Sequence, residues 1–164
     1  MKKQFLTIAA AFAVTVSTAY GQCDRLTTVN HDKFTGRSTA SSANYIVVSA
    51  DGISGVAFLF IQGDKSLILS GKIYGPSACV DDKAKIYVLF TDGSRLTLAN
   101  QGKFNCERSF SHFFFSPERS DILTQLRTKT IEALRAETAK GSVTEEVPAN
   151  QANDIRETIN CLLK

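Results

Sequence analysis

Apolar positions along this chain fall into runs of two kinds. Val56 to Gln62 (VAFLFIQ) is apolar at nearly every position, predicting a strand buried on both faces and broken by Gly63-Asp64. Ser66 to Tyr74 alternates, with Leu67 and Leu69 on one face, and Gly75-Pro76 ends it. Tyr45 to Ser49, closed by Asp51-Gly52, and the aromatic run Ser109 to Phe115 read as two more strands. The polar stretch Asp24 to Ala43 has little periodicity, and predicts a short edge strand or a covering segment.

Lys85 to Thr91 and Ser94 to Ala99 are β-rich runs separated by Asp92-Gly93, a strong hairpin signal. Thr91-Asp92-Gly93 is therefore read as a turn, not as a catalytic loop. With a two-residue loop, Leu89 faces Leu96 and Tyr87 faces Leu98. Ile86, Val88 and Phe90 then share the other face with Ala99, Thr97 and Arg95.

From Pro117 the period changes. Ser116-Pro117-Glu118 resembles a helix start, and Ile122, Leu123 and Leu126 supply a short apolar stripe. Residues 128–138 fit a helix by propensity. The Gly141-Ser142 break favours a short helix followed by two strands. After Pro148, the residues Ala152, Ile155, Ile159 and Leu162 recur at helical spacing, predicting a C-terminal amphipathic helix.

The N-terminus changes the picture. Lys2 and Lys3 precede an apolar stretch from Phe5 to Val16, and small residues at Ala19 and Gly21 suit cleavage before Gln22. Residues 1–21 are thus expected to be a cleaved signal peptide and residues 22–164 a single disulfide-stapled domain. The apolar run is shorter than the roughly 20 residues of a membrane span. Gln22 and Tyr20 do not suit lipid attachment at Cys23, and no second apolar segment implies a span after cleavage. The two lysines leave with the signal and no acid does, so the formal charge falls from +3 to +1. A near-neutral chain without a basic run gives no electrostatic reason to expect nucleic acid or anionic lipid.

Four cysteines remain, Cys23, Cys79, Cys106 and Cys161. An even number in an exported domain reads as two disulfides with three possible connectivities. Their spacings of 56, 27 and 55 positions lack the close pairs that zinc or redox chemistry needs. Extending the hairpin register outward brings Cys79 opposite Cys106. Cys23 is then left for Cys161, which lies about 140° round the final helix from its apolar face.

Motifs that carry chemistry are missing. There is no G-x-S-x-G, H-E-x-x-H, Walker loop or G-x-G-x-x-G. His31-Asp32 sits in a polar turn pattern, and Asp81-Asp82 lacks the ligand ladder of a calcium loop. No catalytic residue, metal ligand or cofactor is assigned. The aromatic run is the remaining hint. Phe110, His112 and Phe114 share one face of a strand, and Phe113 and Phe115 the other. A central strand buried on both sides explains such a run. The functional reading makes Phe110, His112 and Phe114 a ligand or partner surface, with Phe58 or Phe60 lining a barrel mouth.

The signal, the IYVLFTDGSRL hairpin between two cysteines, the TIEALRAET run and a last helix ending in INCLL together resemble small exported bacterial proteins of unknown function. The resemblance implies an export-compartment domain, periplasmic or extracellular, and brings no site residues with it. The expected fold is α+β: an antiparallel curved sheet or partial β-barrel carrying a C-terminal amphipathic helix, an outline similar to pleckstrin-like barrels. The expected function is a non-catalytic binding or interaction module of the bacterial envelope, with an envelope protein as partner. The alternatives are a carrier of an apolar ligand in a Phe-lined cavity, and a hydrolase whose residues are not identified.

Overall fold

The computed structural model describes residues 19–164, apart from 50, 51, 64 and 76–78. The expected signal peptide thus lies mostly outside the described residues, and its predicted junction falls within helix α1 (Ala19–Leu26). The polar stretch that follows folds as a hairpin of β1 (Thr27–His31) and β2 (Ser38–Ser42). Next come β3 (Ile46–Val48), β4 (Gly55–Gln62) and β5 (Ser66–Tyr74). The central hairpin is β6 (Lys85–Phe90) and β7 (Arg95–Ala99), followed by β8 (Ser109–Phe115). Helix α2 (Asp121–Thr128), β9 (Ile131–Thr138), β10 (Gly141–Glu146) and α3 (Ala149–Leu162) complete the order.

The architecture is α+β, with all strand pairs antiparallel among the described residues. A six-stranded sheet runs β1-β2-β4-β5-β8 with β3 also on β4, and a four-stranded sheet runs β10-β9-β6-β7. The two are not closed into a barrel. They approach where the chain leaves β7: the Gln101 amide donates to the Ser111 carbonyl at 2.8 Å. On another flank the Ser54 hydroxyl donates to Glu145 Oε1 at 2.8 Å.

The core lies between the sheets. Val56, Phe58 and Phe60 of β4, Leu67 and Leu69 of β5, and Ile86, Val88 and Phe90 of β6 are buried together with Ile155, Ile159 and Leu162 of α3. Each such aliphatic or aromatic side chain contributes roughly 1.5–3 kcal/mol by leaving water. The apolar stripe of α3 therefore fixes this helix against the inner surface. Cys161 stands half-buried beside that stripe and is joined to Cys23 of α1, with Cα atoms 5.5 Å apart. An exposed ion pair between Arg25 and Asp154 at 3.1 Å adds little to this clamp.

The central hairpin differs from its expected register by one residue. Val88 pairs with Leu96, Ile86 with Leu98, Tyr87 with Thr97 and Leu89 with Arg95. The reason is the turn. The Phe90 amide donates to the Ser94 carbonyl at 3.0 Å, and Gly93 takes φ +78°. The loop is thus three residues ending in a left-handed position, not two. This slip unites Ile86, Val88, Phe90, Leu96 and Leu98 on one buried face, a better amphipathic pattern than the expected one.

Further out, a second irregularity cancels the first. The Asn100 amide still donates to the Ala84 carbonyl, but the next bridge joins Val80 to Asn105. One extra residue is accommodated between Asn100 and Asn105, where the Asn100 side chain bonds the Asp81 carbonyl and the Gly102 amide. Cys79 is thereby brought to Cys106, and the two are joined.

Two smaller differences concern the helices and β4. Ser116 has φ +50° and caps nothing with its side chain; Pro117–Arg119 is a single 3-10 turn. The cap of α2 is Ser120, whose side chain accepts from the Leu123 amide at 3.3 Å. In β4 only one face is packed against the core. Leu59 and Ile61 on the other are half-buried.

Candidate functional site

The two faces of strand β8 differ. Phe110, His112 and Phe114 are buried, while Phe115 is 74% exposed and Phe113 is half-buried. The parity is set by β5, because Leu69 pairs with His112 and Gly71 with Phe110. A Cβ at Gly71 would stand 3.5 Å from the Phe110 Cβ, an ordinary packing contact.

The proposed surface of Phe110, His112 and Phe114 is therefore interior, and so are Phe58 and Phe60. Both Phe58 and Phe60 border a space of about 20 Å³, lined also by Leu126 of α2 and Ile155 of α3. Ligand sites are on the order of 300–1,000 Å³. The five residues are core filling, and the reading of them as a ligand or partner surface is corrected. His112 is satisfied there: its Nδ1–H donates to the Ala99 carbonyl at 2.8 Å, and its ring meets Phe114 edge-on.

The outward face of the same sheet carries the unexpected feature. Ile61 of β4, Ile68 of β5 and Phe113 of β8 stand in one cross-strand row. Phe115 continues it, its ring stacked 6.3 Å from that of Phe113, and Leu59 lies one step away on β4. None of these five belongs to the core cluster or packs against it. Ser70, Ser111 and Lys72 flank them, and Lys72 is the single charge on this face of the three strands. Antiparallel sheets usually set polar residues on a solvated face.

The outward face of the four-stranded sheet is different. A half-open trough of about 390 Å³ has Leu89 and Ala133 on its floor and is lined also by Tyr87, Arg95, Arg135 and Thr144. The Tyr87 hydroxyl donates to Glu137 Oε1 at 2.8 Å, and this bond to a carboxylate raises the Tyr87 pKa. Arg135 Nε–H donates to Thr144 Oγ1 at 3.1 Å.

The remaining polar groups have structural partners. His31, exposed on β1, lies 3.2 Å through Nδ1 from the Ser38 hydroxyl. Asp32 does not orient it. The Asp32 carboxylate accepts from the Thr35 hydroxyl and the Phe34 amide, which lower its pKa and hold the β1–β2 turn. Asp81 and Asp82 share a hydrogen bond that lowers the first pKa and raises the second. Asp92 accepts from the Ser94 hydroxyl and amide and pairs with Lys129 at 3.0 Å; these bonds bring its pKa down to about 2. It pins a turn, as the sequence pattern predicts. Among the described residues, no group of three or more His, Cys, Asp or Glu side chains could hold a metal ion.

No protein-family model, curated protein or solved structure matches this chain. Two structural features bear on its compartment. All four cysteines are in disulfides, and no helix among the described residues is long and apolar enough to cross a membrane. Paired structural disulfides fit an oxidising compartment.

Proposed function

We propose that this protein is an exported, non-catalytic interaction module of the bacterial envelope that docks a partner protein on the outer face of its six-stranded sheet. One observation carries the reading: the contiguous half-buried row Ile61–Ile68–Phe113 on the outward face, extended by Leu59 and by the exposed Phe115. An apolar centre with a serine and lysine rim has the anatomy of a protein interface. Exposed contiguous apolar patches on soluble domains mark such surfaces. The N-terminal pattern of lysines, apolar run and small residues supports export, as do the two bridges. A face with one charge among apolar side chains suits an apolar partner surface better than a charged one.

The test is photo-crosslinking in the exporting cell, with a crosslinking phenylalanine analogue at Phe115 and, as control, at Lys140 on the β9–β10 turn. An adduct of defined mass should form from the first site and not the second. It should disappear in Ile68→Asp protein that keeps its melting temperature and both disulfides. No adduct, or one indifferent to Ile68→Asp, would overturn the reading.

A further inference from the structure

We infer that the trough on the outside of the four-stranded sheet binds a small amphipathic carboxylate, its apolar body on Leu89 and Ala133 and its charge between Arg95 and Arg135. The ladder creates the hollow. Leu89 pairs with Ala133 on one side and Arg95 on the other, while Tyr87 pairs with Arg135. Ala133 is the small residue of this set, and the β6–β9 register shifts between Leu89 and Phe90. Such irregularities bend and twist a strand. The volume of about 390 Å³ falls among those of small-molecule sites, and spanning three strands makes it roughly 10 Å wide.

The charges point to an anion. Neither Arg95 nor Arg135 belongs to an ion pair among the described residues. Arg135 is held by Thr144 through Nε, which leaves its terminal nitrogens for a ligand. The nearby Glu137 makes no ion pair with it: Oε1 accepts from the Tyr87 hydroxyl and Oε2 from the Lys85 amide at 3.1 Å. Glu146 of β10 stands opposite Ala133, on the side away from Leu89 and Arg95, and does not line the trough. A carboxylate therefore sits toward Arg95 and Arg135, where paired guanidinium donors recognise it. A purely apolar ligand would leave both arginines unused, and a cation would face them directly.

The probe is decanoate, titrated into the disulfide-intact domain and followed by amide chemical shifts. Saturable shifts should centre on Leu89, Arg95, Ala133 and Arg135. Decanol and decylamine, with the same chain, should bind at least about tenfold more weakly. Arg95→Gln and Arg135→Gln should each weaken decanoate by about tenfold with unchanged melting temperature. Ile68→Asp should leave decanoate binding unaltered, so this site stands or falls apart from the partner face. The absence of saturable shifts, equal binding of decanol, or indifference to both arginine variants would overturn the inference.

Discussion

The six-stranded sheet sets half-buried Ile61, Ile68 and Phe113 in a row on its outward face, whereas the four-stranded sheet surrounds outward Leu89 and Ala133 with Tyr87, Thr97, Arg95 and Arg135. Their inner faces are alike: Phe60, Leu69 and Phe110 on one side, Val88, Leu98 and Leu134 on the other, all buried. Stability therefore comes from both sheets in the same way. What distinguishes them is the outward set, which stability alone does not dictate. An outward apolar row contributes nothing to the core and exposes a sheet to association. That cost is the reason to look for a partner there rather than among the larger buried aromatics.

The largest effects are expected in the interior that the two sheets share. Replacing Cys23 and Cys161 by Ser removes the clamp between α1 and α3, and the chain-entropy model puts the loss at about 5 kcal/mol, against about 3.5 kcal/mol for Cys79 and Cys106. Denaturant titration of the two double variants would show whether the longer loop matters more. Phe110→Ala should cost about 3–5 kcal/mol in the same measurement, as a fully buried ring is lost from the core. A cost below 1 kcal/mol would mean that β8 faces the other way.

His112→Leu keeps the bulk but strips the Ala99 carbonyl of its donor, so about 1–3 kcal/mol is expected. Phe115→Ser on the outward face should change stability by no more than about 0.5 kcal/mol, yet reduce binding of an apolar dye. The contrast between Phe110 and Phe115, five positions apart on one strand, is the sharpest form of the comparison.

The smallest effect concerns acid. Asp92 has its pKa lowered in the fold, from 3.8 to about 2, first by the Ser94 hydroxyl and amide and then by Lys129. Its contribution is thus present above the unfolded value and lost as pH falls through about 2. Asp92→Asn should lower the melting temperature slightly at neutral pH, and the difference from the parent protein should shrink as pH falls through about 2 and vanish below it. A difference that persists there would show that the carboxylate's charge is not what holds the turn.

Much of this fold is legible in the residues, and its limits have physical causes. Alternation in Ser66 to Tyr74 and the helical spacing of Ala152, Ile155, Ile159 and Leu162 depend only on local period, and both elements form. The hairpin register depends on whether Asp92-Gly93 makes a two- or three-residue loop, a difference of one left-handed residue that composition does not reveal. The pairing of Cys79 with Cys106 is reached in spite of that error, because the extra residue after Asn100 restores the offset.

The aromatic surface was misplaced for another reason. Val56 to Gln62 and Ser109 to Phe115 are apolar on both parities, so neither strand says which of its faces is inside. The signal that could have told lies in β5: Leu67, Leu69 and Ile73 against Ser66, Ser70 and Lys72, read across to its neighbours. The trough was less accessible still. Arg95 and Arg135 are 40 positions apart, and only the placement of β6 between β7 and β9 brings them to one face.

The bridge between Cys23 and Cys161 has a consequence for biogenesis. Cys23 precedes its partner by 138 residues, and Cys79 and Cys106 lie between them. Pairing in order of appearance would join Cys23 to Cys79 and strand the final helix away from the core. In a chain oxidised while it emerges, the observed pairing would require reshuffling, or delay until the last helix has arrived.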